Sequence, residues 1–248
     1  TAVGQAALFY NETGNYNVAI GRASMYGVSG NSHENNTAVG YSSLFGITTA
    51  DENTSLGYAS SLNITAGSDN TSVGSTSLYR NQIGEDNVAV GYRAGYNVSA
   101  SYNTFVGSQA GFGLNTSPYS SGVSNTAVGY QTLNAFTTGD NNTAVGYQAG
   151  SAITTGDRNI AIGYQALPSN TTSTGNIAIG YRTLYNAVDA SSFQIAIGDG
   201  ALYNHSGSAD DYAIALGFEA GYNSQTDIGA VMIGYRAGYR SSGYSGIY

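Results

Sequence analysis

The sequence has no cysteine, no lysine, no tryptophan and only two prolines. It is also poor in charge: Asp, Glu, Lys and Arg make up 9% of its 248 residues, against about 25% in an average soluble domain. Each shortage excludes something. Without cysteine there is no disulfide framework and no thiolate metal site. The seven basic residues are all Arg, scattered among fifteen acids, for a net charge of −8. They cannot form the basic stripe that a nucleic-acid partner requires. No apolar run approaches the roughly 18 residues of a membrane-spanning helix, so no membrane insertion is expected. With no lysine there is no phosphate-binding loop of the usual kind. The two histidines, His33 and His205, sit in irregular polar stretches and read as solvated loop residues. The acids recur at equivalent positions, so no pair stands out for acid–base work, and an enzyme is not expected. What is present argues against disorder. The chain is 41% apolar and 12% aromatic, with 35 Gly and 22 Tyr, a bias that points to a repeat.

One tetrapeptide recurs: a β-branched residue, a small residue, an aliphatic, then Gly. It reads Thr-Ala-Val-Gly at residues 143–146 and Ile-Ala-Ile-Gly at residues 177–180. Its glycines run from Gly4 through Gly40, Gly91, Gly146 and Gly180 to Gly234, fourteen in all, mostly 17 residues apart. The repeat fills the chain, so the reading is one continuous domain over residues 1–248. Period-two alternation with β-branched residues selects strand over helix. The Asn, Asp, Gly, Ser and Thr between units are turn formers. A 17-residue unit is too short for a helix, a strand and two turns. It suits one coil of an all-β parallel β-solenoid, in which stacked coils bury what a single coil cannot.

The columns of the repeat then become ladders at the inter-strand spacing of about 4.8 Å. The aliphatic before each Gly, as in Val39, Val73, Val90, Val145, Ile162 and Ile179, is expected to form the core stack. Asn stands four before the Gly at Asn36, Asn87, Asn125, Asn142, Asn159 and Asn176, among others, and predicts a side-chain amide ladder at a corner, since Asn tolerates left-handed backbone and offers both donor and acceptor. Tyr follows the Gly at Tyr41, Tyr92, Tyr147, Tyr164 and Tyr181, an aromatic ladder read either as stacked at the core or a corner or as an exposed row for carbohydrate or lateral bundling. The small residues two before the Gly predict a flat strip that another sheet or protomer approaches closely. Longer units place solvent-facing insertions at residues 30–34, 115–121 and 204–210.

Acids five or six before the Gly form a weak stripe. They offer a loose site for Ca²⁺, the one cofactor the residues suggest, although the calcium-binding repeat of other β-rolls is missing. Ten Asn-x-Ser/Thr sequons occur, about twice the chance number for this composition. Asn11, Asn63, Asn97, Asn115, Asn170 and Asn204 lie away from the amide ladder and are the candidates for N-glycosylation, which would place the chain outside the cell.

The unit Asn142-Thr143-Ala144-Val145-Gly146, repeated along all fourteen coils, resembles the head repeat of trimeric autotransporter adhesins, and similar repeats occur in phage tail fibres. The resemblance implies a left-handed parallel β-roll, three chains side by side, and a place on a cell or virion surface. A second copy set directly after this one would put its Gly4 eighteen residues beyond Gly234, almost in phase. Thr1, Ala2, Val3 and Gly4 would then meet Tyr235 and Tyr248 of a neighbouring copy. The expectation is an extracellular structural protein whose partners are copies of itself, stacked end to end into a filament. The alternative is an adhesin or tail-fibre head that binds surface glycans.

Overall fold

The computed structural model describes residues 1–187, 192–205, 212–224 and 229–240. It shows the all-β parallel β-solenoid expected from the repeat. No helix occurs among the described residues. The chain divides into two compact units, Thr1–Ser124 and Asn125–Tyr248, where the sequence reads as one continuous domain. The boundary falls within the longest repeat, the 22 residues from Gly107 to Gly129. The first unit carries β1 (Ala2–Val3), β2 (Val18–Ile20), β3 (Thr37–Val39), β4 (Thr54–Leu56), β5 (Thr71–Val73), β6 (Val88–Val90) and β7 (Thr104–Val106). The second carries β8 (Thr126–Val128), β9 (Thr143–Val145), β10 (Ile160–Ile162), β11 (Ile177–Ile179), β12 (Ile195–Ile197), β13 (Ile214–Leu216) and β14 (Val231–Ile233). Within each unit every strand pairs in parallel with the next, in the register of the repeat: Thr37 with Thr54, Ile160 with Ile177.

The strands are inverted relative to the expected core. The small middle residue points inward: Ala38, Ala89, Ala144, Ala161 and Ala178 are fully buried. The aliphatic column of Val39, Val73, Val145, Ile162 and Ile179 is only half-buried, and Val90 is exposed. The reason is width. Each coil closes so tightly that the far wall reaches the strand. That wall holds the residue four after the Gly (Met25, Leu44, Leu78, Leu133, Leu167, Leu184, Leu202) and the one seven after (Ile47, Ile64, Phe136, Ile153), all buried. Only Ala or Ser fits between them. Where Phe105 takes the inner strand position, the wall opposite is Gly95 and Gly111, and a Cβ at Gly95 would lie 2.9 Å from the Phe105 ring. The small-residue strip is therefore interior and is not itself a surface for a protomer to approach.

Between strands the backbone follows a second rule. Three positions per coil take φ near +55°: two after the Gly, four after it and five before it, as in Ser42 (50°), Leu44 (51°) and Glu52 (60°). Left-handed backbone costs an L-residue about 1–2 kcal/mol. Inter-coil hydrogen bonding offsets that cost, because alternate peptides turn toward opposite neighbours. Ser42 N donates to Arg22 O of the preceding coil at 3.0 Å, and Leu44 N donates to Ser60 O of the following one at 3.0 Å.

The Gly column sets how closely coils approach. Gly180 has φ +136°, and a Cβ built there would lie 2.7 Å from Gly198 O. Gly91 stands the same way, 2.6 Å from Gly107 O. Any side chain would push the next coil away.

The Asn column is a buried amide ladder. Asn142 N donates to Asn125 Oδ1 (2.9 Å), and Asn142 Nδ2 donates to the same oxygen (3.1 Å) and to Gly156 O (2.8 Å). Asn142 Oδ1 in turn accepts from Asn159 N at 2.9 Å. The pattern repeats at Asn36 and Asn53, at Asn70 and Asn87, and at Asn159 and Asn176. Asn125 Nδ2 donates to Gly139 O at 2.9 Å. At β12 the column changes to Gln194, which still donates from its backbone N to Asn176 Oδ1 at 2.9 Å.

Candidate functional site

The outer surface of the coils carries three neighbouring columns. The first is the Tyr after each Gly. Tyr130, Tyr147, Tyr164 and Tyr181 stack in series with centroids 5.1–5.4 Å apart and planes within 19°. Tyr41 stacks on Tyr58 at 5.5 Å. These rings are exposed, so they belong to the surface and not to the core. Tyr92 stands apart, because its column neighbours are Ser75 and Ser108. A second aromatic column lies five after the Gly. It stacks as Phe9–Tyr26–Phe45, Tyr79–Tyr96–Phe112 and Tyr185–Tyr203–Tyr222–Tyr239.

Between the two runs the residue two after the Gly. In the second unit it forms a hydrogen-bonded ladder. Gln148 Nε2 donates to Gln131 Oε1 (3.0 Å), Gln165 Nε2 to Gln148 Oε1 (3.1 Å), and Arg182 Nε to Gln165 Oε1 (3.3 Å). Where this residue is Arg, its guanidinium lies over rings of both flanking columns. Arg93 is 5.0 Å from Tyr92 and 5.4 Å from Tyr96; Arg182 is 5.1 Å from Tyr181 and 5.2 Å from Tyr185. Arg236 repeats the pattern with Tyr235 and Tyr239. Arg22, Arg80 and Arg240 also lie over rings. A flat guanidinium lies parallel to the rings of a ladder at inter-strand spacing, whereas an ammonium, though attracted to ring faces, is not planar and does not stack. This gives the choice of Arg over Lys a physical basis.

The ladders are interrupted once in the second unit. After Gly198 the chain reads Asp199-Gly200, where a Tyr and a Gln or Arg would stand. The missing side chains leave a surface notch of about 160 Å³ lined by Tyr181, Arg182, Asp199, Gly200, Tyr203, Glu219 and Tyr222. Glu219 Oε2 accepts from Arg236 Nε at 2.6 Å, and burial holds the Tyr222 hydroxyl above the ordinary phenol range.

The remaining candidates fall as follows. His33 and His205 are buried, not solvated. The phase of the repeat places His33 in the inward column of Ala50 and Gly67, and His205 in that of Ile47 and Ile64. His205 bonds Gln194 Nε2 (3.0 Å) and Ser224 Oγ (2.9 Å). Both ring nitrogens of His33 lack a partner, and desolvation lowers its pKa against the raising effect of Asp51.

Among the sequon residues, Asn97 and Asn170 lie away from the amide ladder but are buried, because their segment is the inner far wall and not an outer loop. Asn97 Nδ2 donates to Asn115 Oδ1 at 2.9 Å. The Nδ2 atoms of Asn11, Asn63 and Asn204 donate to Gly14 O (2.9 Å), Tyr79 O (2.9 Å) and Asn223 Oδ1 (2.6 Å). Asn115 is exposed in the long insertion, and its contact with Asn97 uses the oxygen alone.

Among the described residues no group of three or more His, Asp or Glu is placed to hold a metal ion. In the acidic stripe the hydrogen bond that protonated Glu52 donates to the Asp69 carboxylate, followed by the Asp69 charge, raises the Glu52 pKa. Of the residues expected at the chain ends, Thr1, Ala2, Val3 and Gly4 are exposed, as is Tyr235; Tyr248 lies outside the described residues.

Comparison with protein-family models, with curated proteins and with solved structures finds no match to this chain.

Proposed function

We propose that the chain is an extracellular structural subunit that stacks end to end on copies of itself, its role mechanical and not catalytic. One observation carries this reading. The coil at β14 presents the same columns as an interior coil, and among the described residues no atom lies within 4 Å of a Cβ built on Gly234, whereas the corresponding atoms at Gly180 and Gly217 meet the next coil's backbone. Ile233 is 59% and Tyr235 72% exposed; at β1, Val3 is 56% exposed. A copy seated with its Gly4 over Gly234 would cover all three and continue the backbone ladder by heterologous contact, the kind that propagates without closing.

The stacked tyrosines favour this over a glycan-binding row. Rings stacked face to face offer a ligand only edges and hydroxyls along an unbroken ladder, and sugars bind aromatic faces. Three chains bundled side by side, as the adhesin resemblance implies, would use the outward Val/Ile column, which is compatible with axial stacking. Secretion fits Asn115, whose amide nitrogen is open to N-glycosylation.

The test is electron microscopy of purified protein with and without Gly234→Ala. Filaments from the unaltered chain, lost in the variant while its circular dichroism is unchanged, are expected. Particles that stay single for the unaltered chain at high concentration would contradict the reading.

A further inference from the structure

We propose that the notch at Asp199–Gly200 binds the acetamido group and ring of an N-acetylated amino sugar. The site is a missing rung in two ladders at once. Along the Gln/Arg column the rungs run Gln131, Gln148, Gln165, Arg182, then Gly200, then Glu219 bonded to Arg236. The gap thus lies between a cation with N–H groups to spare and a carboxylate with one oxygen still free. Every other rung of the run Gln131 to Gln165 is a primary carboxamide, which accepts on one side and donates on the other. A ligand amide bridges the two, its carbonyl toward Arg182 and its N–H toward Glu219, the reverse of the Gln rungs, whose Nε2 donates to the preceding coil.

Along the adjoining column Asp199 replaces a Tyr. Tyr181 stacks on Tyr164 at 5.2 Å on one face, and its other face looks toward the coil where no ring stands. Phe218 likewise stacks only on Tyr235, at 5.5 Å. A pyranose ring beside the amide would lie against Tyr181, next to the Arg182 guanidinium 5.1 Å from that ring's centroid. The Asp199 carboxylate has no hydrogen bond or ion pair among the described residues and is placed to take sugar hydroxyls. The notch, about 160 Å³, is below the roughly 300–1,000 Å³ of a drug-sized pocket, which suits one residue of a glycan. Arg182 and Arg236 balance Asp199 and Glu219, so the site is locally neutral and suits an uncharged ligand. The inference goes beyond filament assembly and does not depend on it, since the notch is on a coil's outer flank and not on a coil end.

The test is ligand-observed NMR titration of the unassembled chain with N-acetylglucosamine, glucose, glucosamine and acetamide, repeated on Gly200→Gln. That variant supplies the missing rung in the left-handed conformation that Gln131, Gln148 and Gln165 already adopt, so it keeps the fold. Binding of N-acetylglucosamine at least roughly tenfold tighter than the other three, and lost in Gly200→Gln, is expected. No binding of N-acetylglucosamine, equal binding of glucose or of acetamide, or undiminished binding by Gly200→Gln would each overturn the proposal. If Gly200→Gln unfolds, Asp199→Tyr, which closes the notch from the neighbouring column, serves in its place with the same outcomes.

Discussion

Replacing Gly180 with Ala separates two costs that the Gly column combines. At φ +136° the backbone is in a region essentially reserved for glycine, which costs about 1–3 kcal/mol for Ala. The new Cβ would also lie 2.7 Å from Gly198 O and 2.8 Å from its carbonyl carbon. Those are backbone atoms, so the overlap is relieved only by lifting one coil from the next. That lift stretches the bond that joins the same two coils, Gly198 N to Ile179 O at 2.8 Å. Losing that bond adds about 1 kcal/mol, for about 2–4 kcal/mol in all. Gly234 has nearly the same φ, +129°, but no described residue within 4 Å of a Cβ built there, so Gly234→Ala in the unassembled protein carries the conformational cost alone. Gly30 (φ +83°, nothing within 4 Å) provides a milder control at about 1–2 kcal/mol. Urea denaturation at low protein concentration, read by circular dichroism, orders the three. Equal losses for Gly180→Ala and Gly234→Ala would refute the view that close coil approach is what requires glycine here.

Other predictions follow from the same geometry. Asn142→Ala leaves Asn159 N and Gly156 O buried without partners and costs about 2–5 kcal/mol in urea melts; a loss under 1 kcal/mol would show that the amide ladder adds little. Ala144→Val overfills the interior and destabilises by at least about 1–3 kcal/mol, whereas Val145→Thr, on the half-buried outer column, changes stability by less than about 1 kcal/mol; the reverse ranking would restore the core to the aliphatic column. Because burial lowers the His33 pKa, the unfolded chain takes up the proton first on acidification. The His33 contribution to stability is therefore constant well above pH 6.5, falls as pH drops from about 6.5 through the folded pKa, and levels off below it. His33→Ala, matching Ala50 in the same column, removes that segment of the pH profile, and an unchanged profile would contradict the assignment. Intact-mass analysis of chain secreted from a glycosylating host should find glycan at Asn115 and none at Asn97 or Asn170.

The periodic part of this fold was legible in the sequence because period and residue type together fix the coil. The Gly spacing gave the register, and the Asn column gave a ladder whose donor and acceptor both have partners. The inside and outside of the strand were not legible from hydrophobicity. In Thr-Ala-Val a single small residue alternates with two branched ones, and apolar content alone favours burying Val145 over Ala144. The signal that decides is size: the inward column is confined to Ala and Ser except at Phe105 and Met232, where Gly111 and Gly221 make room across the coil. The histidines were misread for a related reason. Their neighbours in sequence are polar, but their neighbours by phase are Ala50 and Ile47, and in a solenoid phase decides burial. Asn97 and Asn170 fall under the same rule. The notch has its own signal in the sequence, the coil whose Tyr and Gln columns both fail, at Asp199 and Gly200.

The most direct test of end-to-end stacking is a cryo-electron-microscopy reconstruction of the assembled protein at a resolution that resolves strands. The account predicts Gly4 of one copy seated over Gly234 of the next, with the spacing of about 4.8 Å continuing across the junction. Filaments whose copies meet only side by side, with a break in that spacing at each chain end, would contradict it.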